Sequence, residues 1–174
     1  MKPIAEEIVD NALEEIESYS DDRLDDEMAK LGEVQPDLLS FIVEFTQDLD
    51  EQVMEYAFYL FFAVYHIFTR GYGKKIKRIT VDEIIACFEE NQKLLESMEF
   101  AHNRFYERIA EVQISPQPYV IMFVVDALME SPDEEDEEEL SDEDVGYLFL
   151  LLKTVIDVLN KKTGASSAKP AEHR

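Results

Sequence analysis

"EYAFYLFFAVYHIF", Glu55 to Phe68, is the most apolar stretch of this chain, and from Tyr56 onward only His66 interrupts it. As a helix its apolar part covers roughly 20 Å, against about 30 Å of bilayer hydrocarbon. It therefore reads as a buried helix rather than a membrane span. A second stretch, "GYLFLLLKTVIDVL" from Gly146 to Leu159, has the same pattern: Tyr56, Phe58, Leu60 and Val64 find identical partners in Tyr147, Phe149, Leu151 and Val155.

Working outward, the periodicity is helical on both sides of the first run. Ile4, Ile8, Ala12 and Ile16 mark one face of a first helix. Ser20 is placed to cap a second, with Leu24, Met28 and Leu31 on its face and Gly32 at its end. Pro36 suits the first position of a third, whose face is Leu38, Phe41, Ile42 and Phe45. The fourth runs from about Asp50 to Arg70, with Gly71 as its cap. "TVDE", Thr80 to Glu83, is a capping box that opens an apolar stripe of Val81, Ile84, Ile85, Phe88, Leu95 and Met98, continuing through Phe105, Ile109 and Val112. "SPQP" at Ser115 breaks that stripe and starts a helix through Met129, and Ser141 caps the last one, which reaches about Lys162. "KKIKRITV" is the only strand candidate, and it is short and basic.

The similarity between the two long runs extends upstream. "QPDLLSFIVEF" from Gln35 lies beside "QPYVIMFVVDA" from Gln117, "EEIV" at Glu6 beside "DEII" at Asp82, and "EVQ" occurs at Glu33 and again at Glu111. The order is kept through both halves, which points to duplication of one helical unit. The expected fold is all-α: a multi-helix bundle, or a solenoid-like stack, of two similar units. Its expected extent is one domain over 1–162, with unit one at about 4–70, unit two at about 80–162, and a disordered polar tail over 163–174. Gln35 to Tyr56 is 21 residues and Gln117 to Tyr147 is 30, so the second unit carries nine extra residues that fall on "PDEEDEEEL". The acidic loop over 131–140 thus reads as a solvated insertion. It lacks the fixed glycine and terminal glutamate of an EF-hand loop.

Composition narrows the function. The net charge is −24, with 16 basic residues against 40 acidic. Direct nucleic-acid binding depends on Lys and Arg displacing phosphate counterions, so it is disfavoured, as is attachment to an anionic membrane. A basic protein partner suits the charge. The single cysteine, Cys87, sits among apolar neighbours and reads as inert packing, and one cysteine fits a reducing, cytoplasmic setting. The N-terminal stretch has no hydrophobic signal core.

Three places could carry function. The basic stretch "RGYGKKIKR" holds Arg70, Lys74, Lys75, Lys77 and Arg78; it lacks Walker spacing, and cations after a helix C-terminus offset the dipole. Glu99 and His102 form a lone Glu-x-x-His, half of a carboxylate-bridged di-iron pattern without its second copy, so no metal and no cofactor is expected. The third is an aromatic stripe, Tyr59, Phe62 and His66, whose counterparts in the second run include Lys153 and Asp157, read as a solvated pair. That stripe is buried either by the chain's own helices or by a second chain, in a homodimer centred on Phe62. No nucleophile–histidine–acid set and no phosphate cradle is present. The sequence thus reads as a non-enzymatic, acidic interaction or assembly protein. A metal- or small-ligand-binding bundle and an acidic mimic of nucleic acid that binds a basic protein are the alternatives.

If the acidic stretch is an insertion, folding does not need it. Replacing "PDEEDEEEL" by a short Gly-Ser turn is expected to leave helicity intact and to change the unfolding free energy by at most about 1 kcal/mol, in the stabilising direction. Loss of cooperative unfolding by circular dichroism would contradict this.

Overall fold

A computed structural model describes residues 3–73, 76–97, 115–129 and 140–163. Lys74, Lys75, Glu99, His102, the continuation of the fifth stripe from Met98 and nearly all of the acidic stretch lie outside the described residues. The helices described are α1 (Glu6–Glu17), α2 (Asp21–Val34), α3 (Pro36–Thr46), α4 (Glu51–Tyr72), α5 (Val81–Ser97), α6 (Pro118–Met129) and α7 (Asp142–Lys161). The described residues contain no strand, and the all-α expectation holds.

Several helix starts follow from local chemistry. Ser20 Oγ accepts the Arg23 amide at 3.1 Å, and Ser141 Oγ accepts that of Asp144 at 3.0 Å. At α5 the capping box closes both ways: Thr80 N donates to Glu83 Oε1 at 2.9 Å and Glu83 N to Thr80 Oγ1 at 3.3 Å. Pro36 occupies the first turn of α3.

The helix ends differ from expectation, because two glycines serve packing instead of capping. Gly32 lies inside α2, where a Cβ would come within 2.8 Å of Leu39 Cδ2. Gly71 lies inside α4, where a Cβ would meet Ile4 Cγ1 at 2.7 Å. Gly73 caps α4 in its place, with φ at 63°, a value that favours glycine. The stripe of α5 is also rotated from the expected one. Val81 is exposed and Ile85 half-buried, while Cys87 and Asn91 are buried with Ile84. At the chain's far end Thr163, expected in the tail, is buried and donates to Asn160 O at 2.9 Å.

α4 and α7 pack on each other. α1 lies on α4, and α5 lies on α7. α3 bridges α4 and α5, α6 packs on α7 and touches α1, and α2 is attached through α3. The buried apolar side chains join into one cluster that includes Phe61, Phe68, Phe149, Leu60 and Leu148. Phe41, Phe45 and Phe88 form a three-ring group between α3 and α5, with centroids 4.7 to 5.8 Å apart.

Long-range hydrogen bonds come in exchanged pairs. Tyr56 Oη on α4 donates to Ala127 O on α6 at 2.7 Å, and Tyr147 Oη on α7 donates to Phe45 O on α3 at 2.6 Å. Gln35, just before α3, receives the Ile79 amide on Oε1 at 2.9 Å and donates from Nε2 to Lys77 O at 3.0 Å. Gln117, just before α6, receives the Ile4 amide on Oε1 at 2.9 Å and donates from Nε2 to Tyr72 Oη and Asn160 Oδ1. Each glutamine is buried, and each holds the extended residues that lead into α5 or α1. This explains why the described part of "KKIKRITV" ahead of α5 makes no strand. Its peptide groups at Lys77 and Ile79 bond to the Gln35 side chain and, from Lys77 N, to Lys162 O at 3.2 Å, with no strand to pair with among the described residues.

Gln35→Leu leaves the Ile79 amide and the Lys77 carbonyl without their partner. The Ile79 amide is buried and the Lys77 carbonyl bond only partly so, and at about 1–3 kcal/mol for a buried group urea unfolding should show a loss of roughly 1–3 kcal/mol. A loss below about 0.5 kcal/mol, the scale of an ordinary surface substitution, would show that the clamp is dispensable.

Candidate functional site

The described part of the basic stretch is largely engaged within the chain. Arg70, near the end of α4, grips Glu15 of α1 with Nε–Oε1 at 2.6 Å and Nη2–Oε2 at 2.9 Å. Arg78 Nη2 lies 3.6 Å from Asp37 Oδ2. The Arg70 guanidinium, with His66 adding to it, holds the Glu15 carboxyl below the usual glutamate range.

Two of the three residues of the aromatic stripe, Phe62 and His66, are core. Phe62 is 4% exposed and His66 7%, so neither has surface to offer a second chain. Phe62 thus leaves little exposed side chain on which to centre a homodimer, and α1 packs on this helix. His66 stacks on Phe62 with centroids 5.8 Å apart, meets the Tyr19 ring edge-on, and places Nε2 3.2 Å from Glu15 Oε1. An ionised carboxylate only accepts, so Nε2 carries the proton. Arg23 lies over the other partner, Tyr19, at 4.3 Å from the ring centroid. Tyr59 is half-buried, and burial pushes its phenol up, with Glu17 adding to the shift.

The counterpart pair on α7 is not solvated. Lys153 is 8% exposed and belongs to a polar network between α5 and α7. Its Nζ donates to Asn91 Oδ1 and to Asp157 Oδ2, both at 2.8 Å. Asn91 Nδ2 donates to Thr154 Oγ1 at 3.2 Å and to Asp157 Oδ2 at 3.0 Å. A buried charge is tolerable only when it is paired and hydrogen-bonded, and here one carboxylate and one amide take two of the three ammonium donors. The pattern Lys-x-x-x-Asp signals an i, i+4 pair, but only Asn91 on the buried face of α5 signals that the pair is covered.

Close by, Lys161 Nζ lies 3.4 Å from the buried Cys87 Sγ. Burial pushes that thiol up, and Lys161 offsets this only in part. A thiol held protonated is a poor nucleophile. Among the described residues no group of three or more His, Cys, Asp and Glu is arranged to hold a metal ion. No described helix is long and apolar enough to cross a membrane.

Two surface features remain. A shallow cleft of about 450 Å³ lies between the α3–α4 turn and the start of α7, where Glu44, Asp48, Glu143 and Asp144 surround Phe45 and Tyr147 with no cation in its lining. The second feature is the outer face of α6, where Tyr119, Met122 and Met129 are 42, 51 and 48% exposed. Sequence reasoning had not singled out that face, since the helix reads as apolar throughout. No protein family, curated protein or solved structure matches the chain.

Two outcomes test this geometry. Phe62→Lys, instead of yielding a folded monomer from a dimer, should destabilise the chain by roughly 3–5 kcal/mol in urea, the cost of losing a buried phenylalanine. Unchanged stability would place the stripe at the surface. Arg70→Ala should cost no more than about 1 kcal/mol at neutral pH, since the Glu15 pair is half-exposed. A depressed carboxyl stabilises above its unfolded pKa, so the difference from wild type should shrink as pH falls below the ordinary glutamate value of 4.5. A difference that stays constant while Glu15 is titrated through its own lowered pKa would rule out the ion pair as its source.

Proposed function

We propose that this protein is a non-enzymatic interaction protein of two similar helical units, acting on a basic protein partner through an acidic surface. The observation that carries the reading is how the cations are used. Arg23 and Lys30 face Glu27, Arg70 faces Glu15, Arg78 faces Asp37, Lys153 faces Asp157, and Lys162 faces Glu83. These cations are occupied within the chain, against 40 acids. What is left facing outward is strongly negative, as the uncompensated cleft beside Tyr147 illustrates. Such a field attracts a basic partner and speeds its approach.

The two-unit reading draws support from the exchanged hydrogen bonds. Tyr56 and Tyr147 are matched residues, as are Gln35 and Gln117, and each bonds across to the other half. Phe45 and Ala127, which accept the tyrosine protons, fall at matched positions too. The helix starts set Glu6 against Val81, one residue away from the pairing of Glu6 with Asp82. In that register the buried Val9, Ala12 and Ile16 answer Ile84, Cys87 and Asn91. Two units related in this way exchange equivalent contacts, as the subunits of a twofold dimer do.

The test is capture of partners from the protein's own cells at low salt. A basic protein should be retained and rebind after purification, with affinity falling by at least about tenfold between 50 and 200 mM salt if several ion pairs form. Recovery of only neutral or acidic partners, insensitive to salt, would overturn the reading.

A further inference from the structure

We propose that the outer face of α6 is the seat for a basic amphipathic helix. This rests on the acidic-partner reading above and supplies its docking site. The exposed residues of α6 after its opening proline are Tyr119, Met122, Asp126 and Met129. Successive residues turn by about 100°, which puts all four within one narrow stripe roughly 15 Å long. Singly exposed apolar residues are ordinary, but here a whole helix face offers three, with Asp126 as its one polar group. At the corresponding positions of α3 and its C-cap the exposed residues are Ser40, Glu44 and Gln47. The fold does not need this face to be apolar.

Charge selects the occupant. α6 carries no cation, and α1, which packs against it, exposes Glu6, Glu7, Asp10 and Asn11. A second copy would set Asp126 and these acids against their equals, at −24 per chain. An anionic membrane is repelled in the same way. A helix with one apolar face and Lys or Arg along its edges meets both features: its anchors at i, i+4 and i+7 match the stripe's length, and its cations flank Asp126. Methionine suits such a seat, being unbranched and able to reshape around a guest side chain.

The test uses two peptides of about 18 residues, roughly five helical turns, composed only of Leu and Lys. In one the leucines line a single helix face; in the other the same residues are spread around all faces. Wild type should bind the first at least about tenfold more tightly than the second at low salt. Met122→Ser with Met129→Ser should abolish that preference and leave the weak, salt-sensitive binding of both. Equal affinity of wild type for the two peptides would overturn the α6 seat and leave the acidic-partner reading standing. Binding of neither would remove both. Methyl resonances of Met122 and Met129 in wild-type protein give a readout independent of how the variant folds. They should shift with the amphipathic peptide and not with its control, and unchanged positions would overturn the seat.

Discussion

Two buried glutamine side chains hold the places where the chain enters the first helix of each half. Ile4 and Ile79 sit in extended backbone ahead of α1 and α5, where no helical carbonyl reaches their amides. Gln117 and Gln35 accept those amides, and each reaches across from the other half to do so. An amide buried without a partner costs about as much as several good apolar contacts gain, so this arrangement constrains everything attached to it. It sets where α1 and α5 begin. It also fixes how closely α4 meets the start of the chain, which is why Gly71 must lack a side chain against Ile4. The two tyrosine bonds to Ala127 and Phe45 complete the lock around the α4–α7 contact.

Around that lock, polar groups inside the fold are satisfied: no buried side-chain nitrogen or oxygen among the described residues lacks a partner. The two long helices reach this by different chemistry at matched positions. α4 uses Phe62 and His66 against α1, while α7 uses Lys153 and Asp157 with Asn91 of α5. Apolar packing needs only shape, whereas the charged version needs each donor and acceptor placed, and one missing member leaves a buried charge.

Features set by neighbours in sequence were legible in it. Ser20, Pro36, Thr80 with Glu83, and Ser141 mark helix starts because their partners lie within three or four residues. Features set across the fold were not. Gly32 and Gly71 look like caps, and only the approach of Leu39 and Ile4 reveals them as packing sites. Lys153 and Asp157 look like a solvated pair until Asn91 is placed over them. The aromatic stripe suits the chain's own core or an interface, because a helix pattern says that a face is buried but not by what. The seat on α6 was hidden for the opposite reason: in a helix this apolar, pattern does not separate the covered faces from the bare one. Its trace in the sequence is the mismatch between Tyr119, Met122 and Met129 and the polar residues at the matching positions of α3.

The central claim is that the two halves are one cooperative structure because their contacts are exchanged across α4 and α7. Native-state hydrogen exchange of backbone amides in the middle of those helices, Leu60 to Val64 and Leu151 to Val155, tests it directly. If each half is held by the other, both sets open together, with one free energy equal to that of global unfolding. Two separate opening energies, with one half exchanging while the other stays protected, would contradict it.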